Sequence, residues 1–161
     1  MNILEVITKR RNIKKFKTET IDPSLIKKWL QSAAMAPNHR MTQPWEVYII
    51  GPETRAKLNH KTNFGNAPFV MVVLSKQGKT AVETEENALA TACFIQNFNL
   101  AAWGEGIGTF WSSISLSDKN REILGVPNDY DVIGTIAVGV PDEIPEAKPR
   151  EPIENKLKQL P

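Results

Sequence analysis

Cysteine and histidine are scarce in this chain of 161 residues, which contains one cysteine and two histidines. Cys93 has no partner for an internal disulfide bond, which is typical of a reducing compartment. Its place within an apolar helical pattern predicts a small buried side chain. With only His39 and His60 beside a single thiol, the ligand spacing of a zinc site is missing, so we expect no metal cofactor.

Long hydrophobic runs are also absent from the sequence. The longest apolar stretches, residues 69–74 and 132–140, fall well short of the roughly 20 residues that a membrane-spanning helix needs. Residues 1–5 have neither the basic start nor the following cleavage site of a secretory signal. These absences predict a cytoplasmic protein with no membrane partner.

The overall composition is that of an ordinary globular protein, with 41% hydrophobic residues, 24% charged residues and a net charge of +2. The length suits one folding unit, so we expect a single domain over residues 1–161. Basic residues concentrate at 9–17 and 148–150. A nucleic-acid-binding segment would need aromatic side chains between its basic residues, and the first cluster offers only Phe16, so we expect no nucleic-acid partner.

Helical and strand patterns alternate along the chain. Asp22 and Ser117 are predicted helix caps, and Pro37 marks the end of the helix that Asp22 begins. Residues 69–74 are apolar on both faces, which favours a central strand covered on both sides. Helices are predicted at 3–10, 23–36, after Pro52, at 82–103 and 117–124; strands are predicted at 45–50, 69–74, 109–113 and 131–140. With its helical opening and an extended proline-rich tail from about residue 141, this order predicts an α+β fold.

The two basic clusters are candidates for phosphate binding. Several converging arginine and lysine side chains hold a phosphate monoester best, and the clusters could meet in the fold. The alternative is a solvated basic face. The residues that could converge are Arg10, Arg11, Lys14, Lys148 and Arg150.

A polar loop at residues 36–45 separates an apolar helix from a strand, a position that often carries function. The Gln43 amide can both donate and accept at the edge of a heteroaromatic ring, and His39 can stack or donate. A plain turn in which Trp45 enters the core remains the alternative interpretation.

A glycine-rich segment follows at residues 104–113. Its glycines come after a helix and before a strand, the reverse of the order in a dinucleotide-binding fingerprint. The segment instead predicts a helix end followed by a strand whose Ser112 and Ser113 present hydroxyl groups and backbone amides to a ligand.

Taken in order, these motifs resemble those of the nitroreductase-like FMN proteins over nearly the whole chain. Residues 10–16 resemble the family's phosphate-binding pattern with asparagine in place of serine, residues 36–45 its Ala-Pro to Gln-Pro-Trp loop, and residues 106–113 its Gly-x-Gly-x-x-Trp strand. The resemblance implies FMN contacts from Arg10, Arg11, Asn12, Lys14, Pro37, Asn38, His39, Gln43, Trp111, Ser112, Ser113, Lys148 and Arg150.

The same resemblance implies a three-layer fold with a mixed, largely antiparallel sheet, and a homodimer with FMN sites at the subunit interface, where His39 reaches the FMN of the other subunit. It implies hydride transfer from NADH or NADPH to FMN and then reduction of nitroaromatics, quinones or related electrophiles by a ping-pong mechanism, with no catalytic residue. Because the stretch between Ile50 and Phe69 is short for the family, a non-catalytic FMN-binding or flavin-storage protein is the alternative.

Overall fold

The computed structural model describes residues 2–161. The helices are α1 (Ile3–Lys9), α2 (Pro23–Ala33), α3 (Pro52–Leu58), α4 (Ala81–Gly104) and α5 (Asp118–Leu124). The strands are β1 (Trp45–Ile49), β2 (Phe69–Lys76), β3 (Gly108–Ser112) and β4 (Tyr130–Gly139). Each predicted helix and strand is present, and Asp22 and Ser117 cap α2 and α5 as predicted.

The four strands form one sheet in the order β1-β2-β4-β3. All three strand pairings are antiparallel, so the prediction of a mixed sheet was too broad. Among the described residues the parallel contribution is one isolated bridge between Asn12 and Thr109. The strands β2 and β4 lie in the centre, which explains why β2 is apolar on both faces.

Helices cover both faces of the sheet, which confirms the predicted three-layer α+β fold. On one face α2 and α4 pack against Met71 and Val73, and the rings of Trp29 and Phe98 meet edge to face with centroids 6.2 Å apart. On the other face α3, α5 and the segment after α1 surround Val72.

Helix α4 exposes an apolar stripe instead of burying its whole surface. The prediction that Cys93 is buried was wrong, because its side chain is exposed. Val82 and Leu89 are 66% and 61% exposed. Val82, Leu89 and Cys93 are seven and four residues apart, which places them on one face of the helix. Phe94 and Ile95 lie on other faces and are buried. Helix α4 therefore has apolar side chains on one face that nothing covers in the single chain.

The segment after α1 is held against the sheet by backbone hydrogen bonds. The Ile13 amide donates to the Thr109 carbonyl at 2.9 Å, and the Phe16 amide donates to the Gly65 carbonyl at 3.0 Å. Ile13 is fully buried. The neighbours of Ile13 on either side, Asn12 and Lys14, are exposed at the surface beside β3.

The chain beyond Pro141 is exposed throughout and extended, as predicted, apart from a short turn at Ile153–Lys156. No helix within residues 2–161 combines the length and the apolar character needed to cross a membrane.

Replacing Gly65 with alanine is expected to destabilise the fold more than the same change at Gly125. Both glycines have positive φ, +66° and +63°, and a side chain in that region costs about 1 kcal/mol. At Gly125 an added Cβ would have no described atom within 4 Å apart from those of Gly125 and its two chain neighbours, whereas at Gly65 that Cβ would lie 2.2 Å from the Lys14 carbonyl oxygen. Denaturant unfolding should show a loss of about 1 kcal/mol for Gly125→Ala and about 3 kcal/mol or more for Gly65→Ala. Equal losses of stability in the two variants would contradict the close packing of Gly65 against Lys14.

Candidate functional site

Three arginines gather where α1 ends. Arg10 and Arg11 are half-buried and follow α1 directly. Burial lowers the pKa of the Arg10 guanidinium, and the nearby charges of Arg11 and Arg150 lower it further. The charge of Arg150 in the tail therefore acts on Arg10 at the start of the chain.

No carboxylate within residues 2–161 forms an ion pair with these three arginines. Neighbouring cations do have acidic partners, because Lys9 pairs with Glu5 at 3.1 Å and Lys15 with Glu143 at 3.7 Å. We call Arg10, Arg11 and Arg150 the arginine cluster. Its uncompensated positive charge makes it a candidate anion site.

The remaining basic residues are placed differently. Lys148 is exposed and forms no hydrogen bond or ion pair within the described chain, so the structure does not bring it to the cluster by any contact. Arg11 donates through Nη1 to the Thr8 carbonyl at 2.8 Å, which directs part of its guanidinium toward α1.

Asn12 and Lys14 carry the site from the arginine cluster to the sheet. The Asn12 Oδ1 accepts a hydrogen bond from the Trp111 amide at 3.4 Å, so its side chain is tied to β3. Lys14 lines a cavity of about 650 Å³ together with Phe16, Phe110 and His60. Cavities of this size accommodate a small organic ligand. The further lining residues are Lys15, Lys61, Thr62, Gly65, Asn66 and Asp142.

The end of β3 lies beside this region. Trp111 is 38% exposed, and its Nε1 donates to the Ile133 carbonyl at 3.3 Å. Ser113 is exposed, whereas Ser112 is largely buried and its Oγ accepts from the Ile114 amide at 3.3 Å. The Ser112 hydroxyl thus closes a turn within the chain.

The loop at residues 36–45 is held in shape by Asn38. Its Nδ2 donates to the Ala36 carbonyl at 3.1 Å, and its Oδ1 accepts from the Gln43 amide at 2.9 Å. Arg40, Met41 and Gln43 all have positive φ, between 45° and 54°. Exposed side chains line the loop surface, including Pro37, His39 and Gln43.

This loop and the arginine cluster lie at opposite ends of α4. Thr42 in the loop donates through Oγ1 to Asn87 Oδ1 at 3.4 Å, near the first turns of α4. The segment after α1 contacts Thr109, five residues beyond the last residue of α4. At 1.5 Å per residue, the helix separates the two regions by about 25 Å. One chain therefore does not bring the predicted site residues together.

Sequence reasoning missed the cavity wall formed by His60, Asn66 and Phe110. The segment 59–66 contains three asparagines and a glycine, the residues that most readily adopt positive φ, and this was the available signal for a special turn. Among residues 2–161 no group of three or more histidine, cysteine or carboxylate side chains is arranged to hold a metal ion.

The fold and these elements define an α+β protein with a candidate anion site beside a ligand-sized cavity, and sequence comparison gives its family. A model of the Nitroreductase family matches residues 7–63 and 54–140. The Bacillus subtilis (strain 168) protein named "Putative NAD(P)H nitroreductase YfhC" is 31% identical over 180 residues, covering 97% of this chain and 93% of the relative. The chain belongs to the Nitroreductase family. This confirms the resemblance found in the sequence and the prediction of an NAD(P)H-dependent oxidoreductase of the nitroreductase type.

Solved structures agree on the fold. A nitroreductase-like family protein from Bacillus cereus superimposes with a TM-score of 0.90 at 26% identity, covering 99% of this chain and 96% of that protein. An NADPH:FMN oxidoreductase from Vibrio harveyi, solved in complex with NAD+, gives a TM-score of 0.90 at 23% identity and covers 99% and 77% of the two chains.

Proposed function

We propose that this protein binds FMN and uses NADH or NADPH to reduce small organic acceptors such as nitroaromatics, quinones or related electrophiles. The observation that carries the proposal is the arginine cluster without carboxylate partners, joined through Asn12 and Lys14 to a cavity of about 650 Å³. Family membership supports the oxidoreductase chemistry.

The residues present fit the phosphate end of FMN. Burial and like charges disfavour the protonated form of Arg10, so a dianionic phosphate would relieve repulsion that the chain itself leaves uncompensated. Guanidinium groups bind phosphate oxygens bidentately, which favours the arginines as the phosphate grip. Lys148 in the exposed tail would add a further cation.

The cavity fits the ring end. Phe110 and His60 supply aromatic surface, and Lys14 supplies a cation at the same cavity. When bound, FMN supplies the redox chemistry by accepting electrons from a reduced nicotinamide and passing them to a second substrate. The chain binds and orients the reactants, and Lys14 would stabilise negative charge that develops at the ring edge.

The nicotinamide donor is proposed from relatives. The name of the Bacillus subtilis protein includes "NAD(P)H nitroreductase", and a 26% identical protein of Archaeoglobus fulgidus is named "Putative NADH dehydrogenase/NAD(P)H nitroreductase". The Vibrio harveyi structure is named for NADPH and FMN. A single binding face for donor and acceptor would give a ping-pong mechanism, with no acid or base supplied by the chain.

We also propose that the site is completed by a second copy of the chain. If two α4 helices cross in opposite directions about a twofold axis, the His39 loop of one protomer approaches the arginine cluster of the other. The apolar stripe of α4 supplies a surface for this contact, and Ile3, Leu4 and Ile7 of α1 are exposed as well, each by at least half. Pro37, Asn38 and Gln43 would then face the FMN of the other protomer.

The first test is whether the purified protein carries FMN and turns over. We expect the visible spectrum of an oxidised flavin, release of FMN on denaturation, and oxidation of NADH or NADPH that depends on a quinone or nitroarene. Initial rates at several acceptor concentrations should give parallel double-reciprocal lines. FMN binding without turnover would instead support a flavin-storage protein, and failure to take up FMN would overturn the proposal.

Arg10→Gln is expected to weaken FMN binding at least about tenfold, because one charged hydrogen-bond donor to phosphate is lost. Riboflavin, which has no phosphate, should bind the variant and the wild type equally. Arg150→Gln should act in the same direction. Lys9→Gln is the matched control, since Lys9 is adjacent but pairs with Glu5. Flavin fluorescence titration measures the affinities, and an equal loss for riboflavin would refute the phosphate role.

Leu89→Arg is expected to convert the dimer to monomer, because it places a charge in the middle of the apolar stripe. The monomer should also lose FMN, since each site would lack the other protomer's loop. Lys119→Glu on α5, in the opposite layer, should leave both properties unchanged. Light scattering and flavin content measure the two effects. A wild-type monomer that holds FMN stoichiometrically would refute the shared site.

A further inference from the structure

The turn Asn63–Asn66 has an unusual left-handed backbone. Its four residues have positive φ angles of 46°, 56°, 66° and 59°. Phe64 is fully buried in this conformation, although only asparagine and glycine adopt it readily. A run of this kind persists only where the surroundings hold it in place.

His60 supplies the hydrogen bonds that hold the turn. Its Nδ1 accepts from the Phe64 amide at 3.1 Å and from the Thr62 amide at 3.3 Å. A ring nitrogen that accepts two amide protons carries no proton itself. The neutral His60 ring therefore has its proton on Nε2.

Aromatic contacts fix the orientation of this ring. His60 stacks on Phe64 with ring centroids 4.3 Å apart, and it meets Phe110 edge to face at 5.7 Å. Both His60 and Phe110 line the cavity proposed for the flavin. Within residues 2–161 no hydrogen bond uses the Nε2 proton.

We propose that His60 is a flavin-contacting residue of this chain, with two separate roles. Its Nδ1 holds the left-handed turn that forms one cavity wall, and its Nε2 proton is donated to a carbonyl oxygen or ring nitrogen of the bound flavin. This inference rests on the proposed FMN site. It adds that the site requires His60 in the tautomer with its proton on Nε2.

The charged groups that line the two cavities beside His60 are mostly cations. Lys14, Lys15 and Lys61 line the same cavity, Asp142 is the acidic residue there, and Arg55 of α3 shares a neighbouring cavity with His60. Burial lowers the pKa of His60. Protonation would place a proton on Nδ1, against the Phe64 and Thr62 amides, and would open the turn.

The sign of the effect follows from that lowered pKa. Above about pH 6.5 histidine is neutral in folded and unfolded chains alike, so the turn keeps its full stability. As the pH falls below that value, the unfolded chain takes up the proton first and the stability contribution declines through the folded pKa. FMN affinity should therefore weaken on acidification.

Three variants of His60 separate the two roles. In His60→Asn the side-chain oxygen can take the place of Nδ1, so the Phe64 backbone amide should stay protected from hydrogen exchange. The affinity for FMN should fall at least about fivefold in this variant. In His60→Gln the amide can take the place of Nε2, so the smaller loss of affinity should come with faster exchange of the Phe64 amide. His60→Phe should lose both. Its affinity for riboflavin, which has no phosphate that titrates near pH 6, should no longer weaken between about pH 7.5 and about pH 5.5. Lys57→Gln on the exposed face of α3 is the control.

Nitrogen NMR of the two imidazole rings gives a readout that needs no turnover. The flavin-free protein should show one ring as the Nε2-protonated tautomer, assigned by its loss in His60→Asn. An Nδ1-protonated ring, or wild-type FMN affinity in His60→Phe, would overturn the inference. If the wild-type protein takes up no FMN, the proposed function itself fails and the flavin contact of His60 fails with it, whereas the NMR result reports on the turn alone.

Discussion

The docking of residues 12–17 between β3 and the left-handed turn is the contact on which the rest of the site depends. Four backbone hydrogen bonds hold the segment, and the two not yet described join the Lys17 amide to the Val140 carbonyl at 3.0 Å and the Asp142 amide to the Lys15 carbonyl at 3.1 Å. Glycines leave room for it: a Cβ on Gly108 would lie 2.5 Å from Ile13, and one on Gly139 would lie 2.8 Å from Phe16. Because the segment is fixed at both ends, the backbone that carries Asn12 and Lys14 has little freedom to lose on binding.

The sequence was sufficient for the order and type of the elements, because local physics decides them. The apolar run of β2 predicts a central strand, and Asp22 followed by Pro23 predicts a helix start whatever the remaining chain does. The convergence of Arg10 with Arg150 was also predictable in part, since phosphate chemistry gives a reason for two distant basic clusters to meet.

Contacts between residues far apart in the sequence were harder to predict. Cys93 lies in an apolar pattern that is equally compatible with burial in a core and with an uncovered face, and only the packing of α4 on α2 distinguishes the two. The cavity wall formed by His60 depends on the left-handed backbone at Phe64, a conformation that phenylalanine rarely adopts. The residue types of segment 59–66 therefore did not predict the orientation of the His60 ring. Ser112 was placed at a strand end correctly, but the direction of its hydroxyl follows from the turn after it.

Helix α4 links the two halves of the proposed site in a way that couples assembly to ligand binding. Its 24 residues keep the His39 loop and the arginine cluster apart within one chain, and the same helix carries the exposed apolar stripe. If the stripe is buried against a second copy, the contact that removes apolar surface from water also brings loop and cluster together. A ligand that binds only the completed site stabilises the dimer by mass action, and dimerisation raises the affinity for that ligand by the same factor. On this proposal, flavin affinity depends on protein concentration wherever the free protein is partly monomeric.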